Sequence, residues 1–291
     1  MTQFRIRSAA SQLVTLALCL LAAAWVHPPQ ARADQQAQVV KIERLTHNVK
    51  RIRFKAANDG FTFQAGQFIL LKLPDSYLKA FNKSHGTEHT SVSRPYSFAS
   101  APSEAPYFDL IVKHYPAPPG KDVPPGLAST FIHQHLRPSD TVTFSDPIGS
   151  LYMPNDSTDP IILVAGGVGA SPFIGLLKHW FDQGLDRQRE IHFFFGVRSK
   201  SDFFLLGDLA DWSRRRKNFK YVLALSHPDP ADEWKGESGY INTVLDRHFP
   251  SPLRADVYLA GAPIMIRETV KVLHAKQVPD TRIHHDPIKV Q

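Results

Sequence analysis

Three observations predict a two-domain architecture, an antiparallel β-barrel followed by a doubly wound α/β domain built on a parallel sheet. Before about Asp159, six short apolar runs are separated at even spacing by Gly, Pro, Asn and Asp, the signature of an antiparallel barrel. After it, apolar runs alternate with helical patterns, which implies a parallel sheet covered by helices on both faces. The length of 291 residues, 43% hydrophobic and 21% charged, suits two ordinary globular cores.

Residues 1–33 read as a leader. Arg5 and Arg7 make a basic start, residues 13–26 are apolar, and Ala31-Arg32-Ala33 fits a small-residue cleavage site before Asp34. The expectation is a signal peptide that exports the protein, in a bacterium to the periplasm. A membrane anchor stays open as the alternative, because the apolar stretch approaches the ~20 residues that span a bilayer. Ile6 splits the two arginines, so the twin-arginine pattern is not matched, and Leu18 before Cys19 argues against lipidation. Cys19 is the only cysteine, which excludes an intrachain disulfide framework and a cluster held by four thiolates of the chain.

The first domain is placed at residues 36–155, with strands expected over 39–45, 49–54, 68–73, 96–99, 108–113 and 141–144. A helix is expected over 128–135, after Pro124-Pro125-Gly126, with Ser129 and Thr130 in its first turn as a potential anion site. The stretch 76–93 shows little periodicity and reads as a long loop; 154–160 reads as the linker.

The second domain is placed at residues 159–291. Its first strand, 161–165, is continuously apolar and rich in β-branched residues, as suits burial on both faces. Gly166, Gly167 and Gly169 then let the backbone take positive φ and approach a ligand. Ser171 is read as an N-cap and Pro172 as a first-turn residue of a helix over 172–181 that buries Phe173, Leu176, Leu177 and Trp180. The start of that helix offers N–H donors and positive dipole to an anion, most simply a pyrophosphate. Strands follow at 191–195, 221–225, 257–260 and 281–284, and helices at 203–212, 241–246 and 264–275. Ligands bind such sheets beyond the carboxyl ends of the strands, the edge at which both Gly166 and Gly261 lie.

Arg94-Pro95-Tyr96-Ser97 puts a cation, an aromatic face and a hydroxyl on one extended stretch. Arg94 is suited to bidentate bonds with a phosphate. The Ser97 hydroxyl is suited to a ring nitrogen that gains and loses a proton. Taken alone, Arg94 is as well read as a surface charge and Tyr96 as a packing residue, and the glycine turn lacks the G-x-G-x-x-G pattern.

The order of these motifs along the chain resembles the ferredoxin reductase superfamily of flavoproteins, in particular bacterial reductase components related to the phenol hydroxylase reductases. The resemblance covers residues 38–288. It implies bound FAD, with Arg94 on the phosphates, Tyr96 against the isoalloxazine or ribityl, and Ser97 near the reactive N5, so that Tyr96 and Ser97 are the residues nearest the chemistry. It further implies that the backbone of Ile111 and the basic side chain of Lys113 hold the ribityl and phosphate region, and that Gly126-Leu127-Ala128-Ser129-Thr130 forms a second phosphate loop. Gly166, Gly167, Gly169 and Pro172 correspond to the nicotinamide nucleotide loop, and Gly261 and Pro263 to the segment beside the nicotinamide. Arg198-Ser199-Lys200 stands where relatives discriminate the adenine ribose, and its two cations and hydroxyl lean toward NADPH over NADH.

The implied function is hydride transfer from NAD(P)H to FAD, with electrons passing to a separate protein or a small-molecule acceptor. Two alternatives remain: a reductase of free flavin, and a non-catalytic flavin-binding or assembly protein. Two departures from the family bear on them, Ala260 where relatives carry cysteine and Ile288 where they carry an aromatic residue. Export also conflicts with a cytoplasmic nucleotide supply. The formal charge of +7 comes without any nucleic-acid motif, which argues against nucleic acid as a partner. Arg214-Arg215-Arg216-Lys217 reads as a solvated helix end, or else as a dock for an acidic partner. The pairs His133/His135 and His284/His285 lack the Cys or acidic ligands of a zinc site, so no metal is expected.

Overall fold

The computed structural model describes residues 34–149, 151, 157–185 and 187–285. The leader, Ile288 and part of the expected linker lie outside the described residues.

The first domain is a six-stranded antiparallel sheet of β1 (Asp34–Arg44), β2 (Val49–Ala56), β3 (Phe68–Lys72), β4 (Ser93–Ser97), β5 (Tyr107–Lys113) and β6 (Thr141–Ser145), in the order β4-β3-β6-β1-β2-β5. A bridge between Phe98 and Leu110 joins the two edge strands and closes the barrel. Its interior is aromatic, with Phe54, Phe98, Phe108 and Phe144 all but inaccessible to water. Burying each contributes on the order of 2 kcal/mol.

Residues 76–85, read as part of a loop over 76–93, belong to helix α1 (Asp75–His85). It buries only Tyr77, Leu78 and Phe81, begins at Pro74 without a side-chain cap, and ends at Gly86 in the left-handed conformation. So short an apolar face between polar positions gives little periodic signal. Helix α2 (Leu127–Thr130) makes one α-turn and continues in a wider turn over Phe131–His135.

The second domain is a parallel sheet of β7 (Ile161–Gly166), β8 (Ile191–Val197), β9 (Phe219–Leu225), β10 (Glu237–Ser238), β11 (Asp256–Ala260) and β12 (Ile283–His284), in the order β10-β9-β8-β7-β11-β12. Helices α3 (Ala170–Gln183) and α4 (Leu206–Arg215) pack on one face. Helices α5 (Ile241–His248) and α6 (Pro263–Ala275) pack on the other. Helix α4 starts three residues later than its expected position, because Phe203 and Phe204 are drawn into the core ahead of it.

Strand order reverses between β7 and β11, which places the topological switch point at their carboxyl ends. There the two domains meet. A Cβ on Gly175 of α3 would stand 2.6 Å from the Phe98 carbonyl oxygen, so the helix lies directly on the barrel backbone. Val49, Ala99 and Ile111 of the barrel share one apolar cluster with Phe173 and Leu177 of α3.

Candidate active site

Between the barrel and the switch point lies a cleft of about 920 Å³. The barrel contributes Arg94, Tyr96 and Ser97 of β4, Ile111 and Lys113 of β5, and Gly126 and Ser129 around α2. The sheet contributes Gly166, Gly167, Gly169 and Pro172 from the β7–α3 turn, and Ala260, Gly261 and Pro263 from the β11–α6 turn. An adjoining groove of about 580 Å³ runs outward past Arg198 and Asp202 at the end of β8, and Lys113, Gly166 and Gly167 line both spaces.

The glycines of the β7–α3 turn have distinct roles. Gly167 has φ +56°, and a Cβ there would meet nothing within 4 Å. Gly166 and Gly169 have negative φ, contrary to the expectation that all three supply positive φ. They are needed for close approach instead: a Cβ on Gly166 would lie 2.5 Å from the Met265 sulfur, and one on Gly169 would lie 2.3 Å from the Ala260 carbonyl oxygen. The nucleotide-type turn is therefore wedged against the turn after β11, its neighbour in the sheet.

Helix α3 begins at Ala170 with Gly169 as its N-cap. Ser171, expected as the cap, lies inside the first turn, buried, with its hydroxyl unpartnered. Pro172 is in the first turn, where its missing N–H costs no intrahelical bond.

On the barrel side Arg94 is exposed at the cleft rim, and its guanidinium donates to the Ser93 carbonyl at 3.0 Å. It makes no ion pair among the described residues. Tyr96 and Ser97 are half-buried in the cleft wall. Burial raises the Tyr96 phenol well above its ordinary pKa, so it stays protonated at neutral pH as a hydrogen-bond donor. Ile111 turns its side chain into the interdomain core, which leaves its backbone for the cleft.

The α2 segment departs from the expected anion site. The Ser129 hydroxyl donates to the Gly126 carbonyl at 2.9 Å and accepts the Tyr115 N–H at 3.2 Å, so it is spent on holding the turn. Thr130 does not line the cleft: it is buried on the far side of the turn, beside a separate depression between α1 and α2. One residue further along a helix swings a side chain by ~100°, enough to put it on another face.

In the outer groove, Asp202 was not among the residues expected from the sequence. Its carboxylate accepts from the Ser199 N–H and hydroxyl at 3.1 and 2.8 Å. Lys200 points elsewhere, its ammonium donating to the Asp232 carbonyl. Arg214 and Arg215 are paired with Asp211, and Arg216 stacks over Phe181, which fits the helix-end reading of that basic run.

An exposed cation without a carboxylate, an aromatic wall and an open glycine corner suit a cofactor with a phosphate-bearing tail and a flat ring. Residues 36–152 match the family model of an oxidoreductase FAD-binding domain, and residues 163–271 match that of an oxidoreductase NAD-binding domain. The chain is 30% identical over 276 residues to a component of the Na(+)-translocating NADH-quinone reductase of Serratia proteamaculans, covering 86% of this chain and 67% of that protein. It is 27% identical over 257 residues to the propane 2-monooxygenase reductase component of Rhodococcus jostii, covering 87% and 63%. It thus spans about two thirds of the length of these relatives. In fold it is similar to Amycolatopsis cytochrome P450 reductase GcoB, with a TM-score of 0.70, 24% identity, and 87% and 69% of the two chains covered. It is also similar to a ferredoxin NADP+ reductase from Neisseria gonorrhoeae, with a TM-score of 0.68, 16% identity, and 87% and 98% covered.

Proposed function

The chain belongs to the ferredoxin reductase-like oxidoreductases that join an FAD-binding to an NAD-binding domain, and from that premise we propose that it passes electrons from a reduced nicotinamide nucleotide, through FAD, to an acceptor outside the chain. The observation that carries this reading is that a single cleft collects Arg94, Tyr96 and Ser97 from one domain and the two glycine turns of the switch point from the other. When bound, FAD accepts a hydride and releases electrons onward. The residues of the chain hold and orient. Arg94 grips phosphate, Tyr96 offers its ring and a protonated hydroxyl, and Ser97 offers a hydroxyl to the reactive edge. The first turn of α3 presents N–H groups to the nucleotide diphosphate. Lys113 stands where cleft and groove join.

We propose NADH as the preferred donor, against the NADPH lean of the sequence. Of the three groups behind that lean, Lys200 is turned to Asp232 and the Ser199 hydroxyl to Asp202, while the Asp202 carboxylate faces the groove beside Arg198. A carboxylate there accepts from a ribose hydroxyl and repels a 2′-phosphate. Export, with cleavage after Ala33, is proposed from the leader pattern alone, and the mass of the mature N-terminus tests it.

The test of function is anaerobic mixing of the purified flavoprotein with each nucleotide. Rapid bleaching of the visible flavin bands by NADH is expected, with NADPH at least tenfold less efficient, and Asp202→Ser is expected to narrow that ratio. No bleaching with either nucleotide would reject the relay and favour the non-catalytic alternative that Ala260 in the cleft wall allows.

A further inference from the structure

We propose that the depression between α1 and α2 is a second binding site, for a neutral aromatic molecule of one or two fused rings that carries a hydroxyl or carbonyl on its edge. Its volume is about 480 Å³, within the roughly 300–1,000 Å³ of small-molecule sites. Its walls are aromatic: the Tyr77 ring centroid lies 5.0 Å from those of both Phe131 and His135, and Phe81 stacks on His85 at 4.1 Å. Such walls suit the face or edge of another flat ring. Among the described residues, no lysine, arginine, aspartate or glutamate lines the space, so neither a phosphate nor an ammonium group finds a counter-charge there.

Neutral polar groups stand unused in the same walls. Thr130 is only 6% exposed, yet its hydroxyl has no hydrogen-bond partner among the described residues, and a buried donor left unpaired is costly to the fold. The Gln134 amide and the His135 ring nitrogens make no hydrogen bond among the described residues. The His85 Nδ1 lies 3.0 Å from the Phe81 carbonyl, which can only accept, so the proton sits on Nδ1 and Nε2 is left as an acceptor. The Tyr77 hydroxyl does not belong to this set: burial lifts its pKa to about 12, and it donates to the Leu127 carbonyl at 2.9 Å, which leaves only its ring for an occupant. The backbone widens at the same place. The Leu136 N–H donates to the carbonyl of Phe131, five residues back, at 3.0 Å, and turns of this kind are rare and gather at functional sites. That turn carries Gln134 and His135. Leu127 and Ser129 line the cleft while Thr130 and Phe131 line the depression, so the second space is a neighbour of the cleft across one segment and no part of it.

The probe is 2-naphthol, neutral at pH 7, titrated into the purified protein and followed by calorimetry and ligand-observed NMR, with naphthalene-2-sulfonate as the same ring pair bearing an anionic edge. Saturable binding of 2-naphthol is expected, with the sulfonate about tenfold weaker. Ala80→Trp fills the space from the exposed side of α1 and is expected to abolish binding. Gln134→Ala/His135→Ala removes the exposed polar partners and should weaken binding about tenfold, and the isosteric Thr130→Val about threefold. Unchanged circular dichroism shows that each variant is folded. Neither probe nor readout draws on hydride transfer, so failure here leaves the relay standing, and failure of the relay leaves this site standing. No saturable binding of 2-naphthol, binding that survives Ala80→Trp, or equal affinity for the sulfonate overturns the proposal.

Discussion

The two edges of the parallel sheet treat charge in opposite ways. At the amino edge, Arg189 and Asp256 form a buried ion pair, and Asp159 accepts from Arg254 at 2.9 Å and from Arg282 at 2.5 Å. At the carboxyl edge, Arg198, together with Lys113 and Arg94 across the cleft, has no ion-pair partner among the described residues. The contrast separates two uses of the same side chains. A charge paired within the fold holds strands in register, whereas a charge left open beside a glycine turn is available to a ligand.

The contrast predicts where substitution harms folding and where it harms binding. The largest effect is expected at the amino edge. Asp256→Asn breaks the buried ion pair with Arg189, a change that costs about 3–5 kcal/mol. Chemical denaturation should show that loss, while the folded fraction retains FAD. A cost below about 1 kcal/mol would mean the pair behaves like an exposed one, and the distinction between edges would fail. Next comes Gly169→Ala at the carboxyl edge, where the new methyl meets the Ala260 carbonyl oxygen, on a strand whose backbone is fixed by pairing with β7. About 3 kcal/mol is expected, together with loss of nucleotide binding. Gly167→Ala, two residues earlier and facing open space at positive φ, should cost only about 1–2 kcal/mol. Equal losses at the two glycines would refute their separate roles.

Much of this was legible in the sequence, and what was not has physical causes. The strands of the barrel are short and punctuated, and β7 is apolar throughout, so their places are fixed by composition. The apolar pattern puts the start of β1 at Val39, yet the strand starts at Asp34, because residues 34–38 pair with β6 a hundred residues away, and polar side chains do not announce such pairing. Helix α1 hides behind three buried residues and an uncapped start. At the site, Arg94, Tyr96, Ser97 and the glycine turns converge as their order along the chain suggested. Thr130 does not, since a turn of helix sends neighbouring side chains to different faces. Asp202 was missed because its place in the groove is set by a turn closed with Ser199. That Ser-x-x-Asp spacing was the available signal.

A smaller effect, on binding alone, is expected from Arg94→Ala. A charge-assisted hydrogen bond contributes about 1.5–3 kcal/mol, so FAD affinity should fall roughly 10- to 100-fold. Stability of the flavin-free protein should stay within about 0.5 kcal/mol, as for an exposed side chain without an ion-pair partner among the described residues. Titration of the flavin-free protein with FAD measures the first and thermal unfolding the second. A destabilised apoprotein with normal FAD affinity would move Arg94 to the structural side of the comparison.

The smallest effect concerns acid. Hydrogen bonds from Arg282 and then Arg254 hold the Asp159 carboxyl below its ordinary pKa in the folded protein. A depressed folded pKa means that the contribution is fully present above the unfolded value, near 3.9 for aspartate, and is lost as pH falls through the folded one. The amino edge should therefore weaken only below about pH 4. Arg254→Ala brings the folded pKa closer to the unfolded value, so the variant should start less stable at neutral pH and lose less on acidification. Denaturation curves at pH 7 and pH 3 on both proteins check this. Parallel losses in the two would show that Arg254, mostly solvent-exposed at this edge, shares nothing with the buried pair beside it.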